Sequence, residues 1–343
     1  MPEKEPKLNA VTPEEKKPTD IEGLLDHKMD FKLLRRLYAE VFRRCGLDES
    51  KMNFLERDRI RVMYEYAHEG RFDNQENIVT LGDKKAILKK HYGEDPYYEA
   101  KLKKDLEQIP KTFGNDEVLV LSVLTHEEGH AISHRECVGE VTWDMIGEER
   151  KKTGNSPVAH GHTAPGEPIF EQVGLHRTFP LQTQGPESVY KKNGPAVFHA
   201  LNEAVNEKLA RRITLRYLEE SSDFDDSTKD AYRQSVYGNS PGLNYSNEVR
   251  LLDNIMGRIA ATTGLSEEVV FEAFVRASLE GECFEDEMIQ DFFKETFGPE
   301  FLIDLARLTG PFHEDSEELR NFVKKYKLYR IMQKHFQHKA SGQ

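Results

Sequence analysis

Long hydrophobic runs are absent from this 343-residue chain. No stretch approaches the ~18 consecutive apolar residues that a membrane-spanning helix needs, and the N-terminus has no apolar signal region. A protein that neither crosses a membrane nor follows the signal-peptide route is expected. Cysteine is scarce: Cys45, Cys137 and Cys283 are odd in number and far apart. They exclude a disulfide framework and a cysteine-based zinc site, and fit a reduced, cytoplasmic setting. Positive charge is also in deficit, with 48 Lys and Arg against 61 Asp and Glu, a formal net charge of −13. That balance argues against a nucleic-acid binder that works by neutralising phosphates.

One apolar stretch stands out. Val118 to Leu124 runs without Pro or Gly into His126-Glu127-Glu128-Gly129-His130, the pattern H-E-x-x-H. On a helix, residues four apart share a face with Cβ atoms roughly 5–6 Å apart, so His126 and His130 can bind one metal ion. Glu127 is placed to reach a water at that metal without binding the metal itself. Imidazole suits Zn²⁺, and a catalytic zinc site keeps a position open for water. The zinc makes the water acidic, and the glutamate takes its proton as a carbonyl is attacked. His134 is in phase with the pair, but eight helical residues put it about 12 Å along the axis from His126. The metzincin continuation needs a Gly to turn the chain, and Ser133 and Glu136 stand at the equivalent positions.

A third ligand is available on a later helix. Residues 195–213, PAVFHALNEAVNEKLARRI, are amphipathic and opened by Pro195, which suits a first helical turn. Within it, Glu203 and Glu207 lie four apart on one face. Here the chain resembles the gluzincins, H-E-x-x-H zinc peptidases whose third ligand is a Glu on a later helix in an N-E-x-x-x-(D/E) context. The resemblance covers about 116–215, with a longer spacer than in compact members. It implies Glu203 as third ligand and Glu207 as the carboxylate that orients a ligating histidine. Such enzymes need a donor for the oxyanion of the tetrahedral intermediate, often a Tyr or His. Tyr245, before the helix expected around 247–262, is the first choice for that role, and Tyr237 the second.

The remainder frames this centre. Residues 1–20 are rich in Pro, Glu and Lys and read as a disordered tail. Helices are expected at 31–45 and, from Asp95 to Pro110, at 95–112. Residues 60–66 and 77–81 read as strands around a turn at 70–75, and 168–176 as a further strand. By the resemblance, 77–81 is the edge strand that pairs with an extended substrate. His68 and His91 read as surface residues. The connection 138–194 holds Trp143, a short helix around 142–152 and a Gly/Pro-rich stretch. His160, His162, His176 and His199 could suggest a second metal site, but the Gly/Pro setting reads as a loop in which His160 and His162 bind metal adventitiously or line the cleft. Asp223, Asp225 and Asp226 lack EF-hand spacing. From 264 onward, helices at 266–279, 285–297, 299–309 and 315–337 carry Phe271, Phe274, Phe284, Phe292, Phe293 and Phe297 as the core of a small bundle. The basic end of the last helix reads as a solvated face.

The expected protein is an α+β, zincin-like fold: a small mixed sheet over an H-E-x-x-H helix, with a mainly helical C-terminal part. Its segments would be a tail (1–20), a helix with the sheet (21–115), a zinc-binding core (116–263) and a helical subdomain (264–343). One Zn²⁺ per chain would be held by His126, His130 and Glu203. Glu127 and Tyr245 would act on a peptide or protein substrate. Two rivals remain: a non-catalytic binding protein with a structural metal site, and a zinc hydrolase of another amide or ester. Glu127 favours catalysis over the first, since a purely structural site has no need of a carboxylate there.

Overall fold

Two long helices, packed against each other along their length, form the axis of the protein. The computed structural model describes residues 20–64, 68–74, 76–92, 96–138, 170–178, 197–282, 286–308, 310–312 and 316–328. The first axial helix, α5, is Asp116–Ile132, and the second, α6, is His199–Glu220. Before α5 come α1 (Ile21–His27), α2 (Phe31–Arg44), α3 (Lys84–Tyr92) and α4 (Pro96–Phe113), with strands β1 (Ile60–Val62), β2 (Gly70–Asp73) and β3 (Ile78–Leu81). Strands β4 (Arg135–Val138), β5 (Phe170–Val173) and β6 (His176–Thr178) lie between the axial helices. After α6 come α7 (Asp226–Tyr237), α8 (Ser246–Thr263), α9 (Glu267–Glu280), α10 (Glu287–Phe297), α11 (Phe301–Ala306) and α12 (Glu317–Lys325). The fold is mixed α+β, with a helical C-terminal part.

Helix α5 is apolar on nearly every face, so it can only be stable when surrounded. Every residue from Val118 to Ile132 is buried except the half-buried His130. Gly114 and Asn115 start it, the Asn115 side chain accepting a hydrogen bond from the Val118 N–H at 2.9 Å. Sheet β1-β3-β2 lies against α5, while α6 meets α2, α8 and α9. The start of α6 has no side-chain cap. Instead the Phe198 and Ala200 N–H groups donate to the Ala306 and Leu308 carbonyls, so the C-terminal part supplies the missing acceptors. Buried apolar side chains from Ile21 to Leu328 make one continuous cluster.

Several elements depart from the sequence expectation. Residues 70–73, read as a turn, form a strand, and β3 is not an edge. It is the central strand, parallel to β1 and antiparallel to β2, so β2 holds the edge that 77–81 was expected to hold. Helix α4 runs one turn past Pro110 to Phe113, held by burial of Ile109 and Phe113 and by the Gly114 N–H on the Pro110 carbonyl. The strand expected at 168–176 is a hairpin, β5-β6, turned at Gly174-Leu175 and extended by β4 into an antiparallel sheet. Asp225 caps α7 through the Thr228 N–H, which gives the acidic segment a structural role. Phe271, Phe274, Phe292 and Phe293 are buried and Phe297 is partly so, as expected of a bundle core. Asp20, read as the end of the tail, caps α1 by accepting from the Gly23 N–H at 2.9 Å, while residues 1–19, Trp143 with its short helix, His160, His162, Pro195 and Phe284 lie outside the described residues.

The hairpin turn hangs on the axis: the Leu175 N–H donates to Asn202 Oδ1 at 2.9 Å. Gly174 has φ +60°, and a Cβ there would lie 2.5 Å from Asn202 Oδ1 and 2.7 Å from Ser278 Oγ. Gly174→Ala is therefore expected to cost roughly 1–3 kcal/mol in urea unfolding. Unchanged stability would mean that the turn is not constrained by Asn202.

Candidate metal centre

His126 and His130 lie one turn apart on α5, and Glu203 faces them from α6. His126 Nε2 is 3.2 Å from His130 Nε2 and 3.2 Å from Glu203 Oε2, and His130 Nε2 is 3.5 Å from Glu203 Oε2. Three donor atoms thus converge on one point, the one such group among the described residues that could hold a metal ion. Their residue types, two imidazoles and a carboxylate, suit a divalent cation.

The second nitrogen of each ring is also engaged. His126 Nδ1 lies 3.1 Å from Glu207 Oε2, and His130 Nδ1 lies 2.6 Å from the Asn206 amide nitrogen. The other Glu207 oxygen accepts from Arg211 Nε at 2.7 Å. Arg211, itself buried, donates onward to Asn239 Oδ1 and to the Asn244 carbonyl, each at 2.7 Å. This ties the residue before Tyr245 to the carboxylate behind His126. Tyr245 is left-handed (φ +49°), and its ring stacks on His126 with centroids 5.2 Å apart. Its hydroxyl lies close enough to Glu203 to feel that carboxylate's charge. Tyr237, the alternative donor, ends α7 with its side chain in solvent and lines neither of the cavities described next.

Two cavities, of about 590 and 510 Å³, meet at this point, and Gly70, His126, Glu127 and Tyr245 line both. The second also holds His130, His176, Asn202 and Glu203. Strand β2 passes over Glu127 closely: a Cβ on Gly70 would stand 2.5 Å from Val123 Cγ1 and 2.7 Å from Glu127 Oε1. The Phe72 N–H lies near enough to the Glu127 carboxylate to favour its charged form slightly.

The charges follow from burial and pairing. Burial pushes Glu127 up from its ordinary 4.5, against the neighbouring histidines, so this carboxyl holds a proton more readily than a free one. Burial would lower His126, but its bonds to Glu203 and Glu207 outweigh that and raise it well above 6.5. Burial would raise Glu203, but the charge of His130 and the bonds from both histidines hold it well below 4.5. Burial opposes Glu207 too, and the Arg211 charge overcomes it. Tyr245 is raised by burial and by the Glu203 and Glu127 charges, so its hydroxyl stays protonated.

Asn206 and Arg211 were given no role from the sequence, and His176 only as one of four histidines, with His160, His162 and His199, that could suggest a second metal site. Asn206 and Arg211 had a signal: they follow Glu203 by three and Glu207 by four, the helical spacings that share a face. Among the described residues His176 joins no second metal group, and its place beside the cluster could not be read from the sequence because it depends on the hairpin turn.

The metal-free cluster makes a pH-dependent contribution with two limits. The raised His126 stabilises fully below about 6.5 and the contribution is lost as pH rises through its folded value. The lowered Glu203 and Glu207 stabilise above about 4.5 and are lost as pH falls through theirs. The cluster thus contributes most between those values. Where His126 is charged, it must lose its proton before it can bind a metal. Adding a divalent metal to the metal-free protein in weak buffer is expected to release about one proton per ion bound. Uptake without acidification would show His126 already neutral.

Compared with protein-family models, curated proteins and solved structures, the chain matches none.

Proposed function

We propose that this protein is a zinc-dependent peptidase of zincin-like α+β fold, with His126, His130 and Glu203 as zinc ligands and Glu127 as general base. The triangle of donor atoms carries the reading. Four ligands set tetrahedrally at ~2.0–2.1 Å from zinc stand about 3.3–3.4 Å apart. The three edges here are 3.2, 3.2 and 3.5 Å. An octahedral site at similar bond lengths would bring neighbouring donors to about 3.0 Å or less.

Zinc supplies Lewis acidity when bound: it makes a water acidic and polarises the carbonyl under attack. The chain's residues do the rest. Glu127, facing the cavity beside the ligands, takes the proton of the attacking water and passes it to the departing amine, a transfer that its raised affinity for a proton favours. Glu207 accepts from His126 Nδ1, which leaves Nε2 free to bind. The Asn206 amide nitrogen faces His130 Nδ1 at 2.6 Å; for His130 to bind through Nε2, Nδ1 would carry the hydrogen and the Asn206 amide would turn its oxygen to the ring. With Glu203 engaged as a metal ligand, the Tyr245 hydroxyl would be available to donate to the oxyanion.

Strand β2 supports a peptide as the substrate. The Gly82 N–H bonds the Glu69 carbonyl, so in this antiparallel pair residues 69, 71 and 73 exchange hydrogen bonds with β3. The main-chain groups of Gly70 and Phe72 therefore point away from β3, and the Phe72 N–H already lies near Glu127. A peptide added along that edge brings its amides to the cluster without demanding a particular sequence.

The test is metal content together with cleavage. Purified protein is expected to hold about one zinc per chain, Glu203→Ala much less, and Glu127→Gln a full complement. Against a mixed peptide pool, Glu127→Gln should lose about 10²–10⁴-fold in kcat, and Tyr245→Phe about 10²-fold with zinc retained. Zinc retained in full by Glu203→Ala would remove the ligand assignment. Equal cleavage by wild type and Glu127→Gln would remove the peptidase.

A further inference from the structure

His176 faces the same cavity as the metal cluster and has no task in the scheme above. It lies on β6, the second arm of the hairpin whose turn is held by Asn202, the neighbour of Glu203. Its ring meets that of His199 edge-on, with centroids 4.8 Å apart. His176 Nε2 and His199 Nδ1 are both buried, and neither has a hydrogen-bond partner. A buried polar nitrogen without a partner costs about 1–3 kcal/mol. Two such atoms next to an assembled ligand set mark a place where a bound molecule supplies the missing partner.

The neighbouring walls indicate which molecule. Arg71 and Phe72 of β2 line this cavity together with Val173 and His176 of the hairpin. A peptide laid along β2 would pass between the strand and the hairpin, within reach of the imidazole. His176 does not join the three-ligand group, so it is free to serve the substrate. Burial, followed by the neighbouring His199, pushes His176 down to about 4, so the ring is neutral and matches an amide in preference to a carboxylate.

We propose that His176 is a substrate-binding residue of this cleft: its imidazole hydrogen-bonds the main chain of a peptide on β2, and His199 holds the ring edge-on for that contact. The proposal rests on the peptidase reading and names one of its substrate contacts.

Two zinc-binding probes separate the possibilities. Acetohydroxamate reaches only the metal, whereas a hydroxamate extended by a leucyl-alanine unit also occupies the cleft. Both are titrated calorimetrically into zinc-loaded wild type, His176→Phe, His176→Ala and His176→Gln. The phenylalanine and alanine variants are measured side by side, so failure of one to fold leaves the comparison intact. The expected result is full zinc content and unchanged acetohydroxamate affinity in every variant. The extended probe should bind about tenfold or more weakly to the Phe and Ala variants, a loss on the scale of one hydrogen bond, with partial recovery in His176→Gln. Equal binding of the extended probe by wild type and His176→Phe would overturn the proposal. So would loss of zinc or of acetohydroxamate binding, which would make His176 a support of the metal. A wild type that binds zinc and acetohydroxamate but gains nothing from the peptide extension would instead remove the peptidase reading.

Discussion

The Glu207 carboxylate, buried between His126 and Arg211, is the interaction on which the rest of the centre depends. Both oxygens are in use, one at His126 Nδ1 and one at Arg211 Nε. Removing a carboxylate from water costs several kcal/mol, and the arrangement holds only because both partners are fixed by geometry. Arg211 follows Glu207 by four residues, so one turn of α6 pre-aligns the pair. His126 comes from α5, so the carboxylate also bridges the two axial helices. Arg211 then reaches the Asn244 carbonyl, and Tyr245, the next residue, stacks back on His126. The circuit closes on the ring where it began. Each member restricts the next, which accounts for a tyrosine kept at φ +49°.

That circuit needs a rigid frame, and the axial helices provide it. Helix α5 is buried on nearly all sides and α6 over most of its length. A pair of this kind has no solvated face on which to rotate, so the ligands are fixed by close packing. Polar contacts inside the seam add register: Thr125 Oγ1 meets Thr214 Oγ1 at 2.8 Å, and the Tyr38 hydroxyl donates to the Thr125 carbonyl one residue before His126. The C-terminal part contributes without touching the cluster, since its carbonyls at Ala306 and Leu308 complete the first turn of the Glu203 helix.

What could be read from the sequence was whatever depends on helical spacing. His126, His130, Glu203 and Glu207 fall on single helix faces, and a period of four needs no tertiary information. The two axial helices and the aromatic C-terminal core follow from local pattern in the same way. What failed was sheet order. Residues 70–73 contain Gly and Asp, poor strand formers, and only the approach of Gly70 to Glu127 and the pairing with β3 make them a strand. Whether 77–81 is edge or centre depends on which neighbours arrive, and a strand's own residues do not state that. Pro110 misled for a related reason: burial of Phe113 outweighs the local preference to stop. Tyr245 and Tyr237 look alike in sequence, and only the Arg211 anchor separates the half-enclosed one from the exposed one.

The neighbouring carboxyls Glu127 and Glu128 show how far environment decides chemistry here. Successive side chains on a helix point about 100° apart, so only one of the two can face the cavity. Glu127 does, with the Phe72 N–H near it and open space beside it. Glu128 points into the protein, accepts the Leu55 N–H at 3.2 Å and leaves its other oxygen unpartnered. Burial raises it well above its ordinary value, so it is a neutral acid pinning the segment before β1. Identical groups, one residue apart, thus have separate tasks: the first can exchange a proton with a bound molecule, and the second cannot reach one. The phase of α5 against β2 settles which is which. The same constraint that seats Gly70 on Val123 and Glu127 therefore also selects which of the two carboxyls faces the cavity.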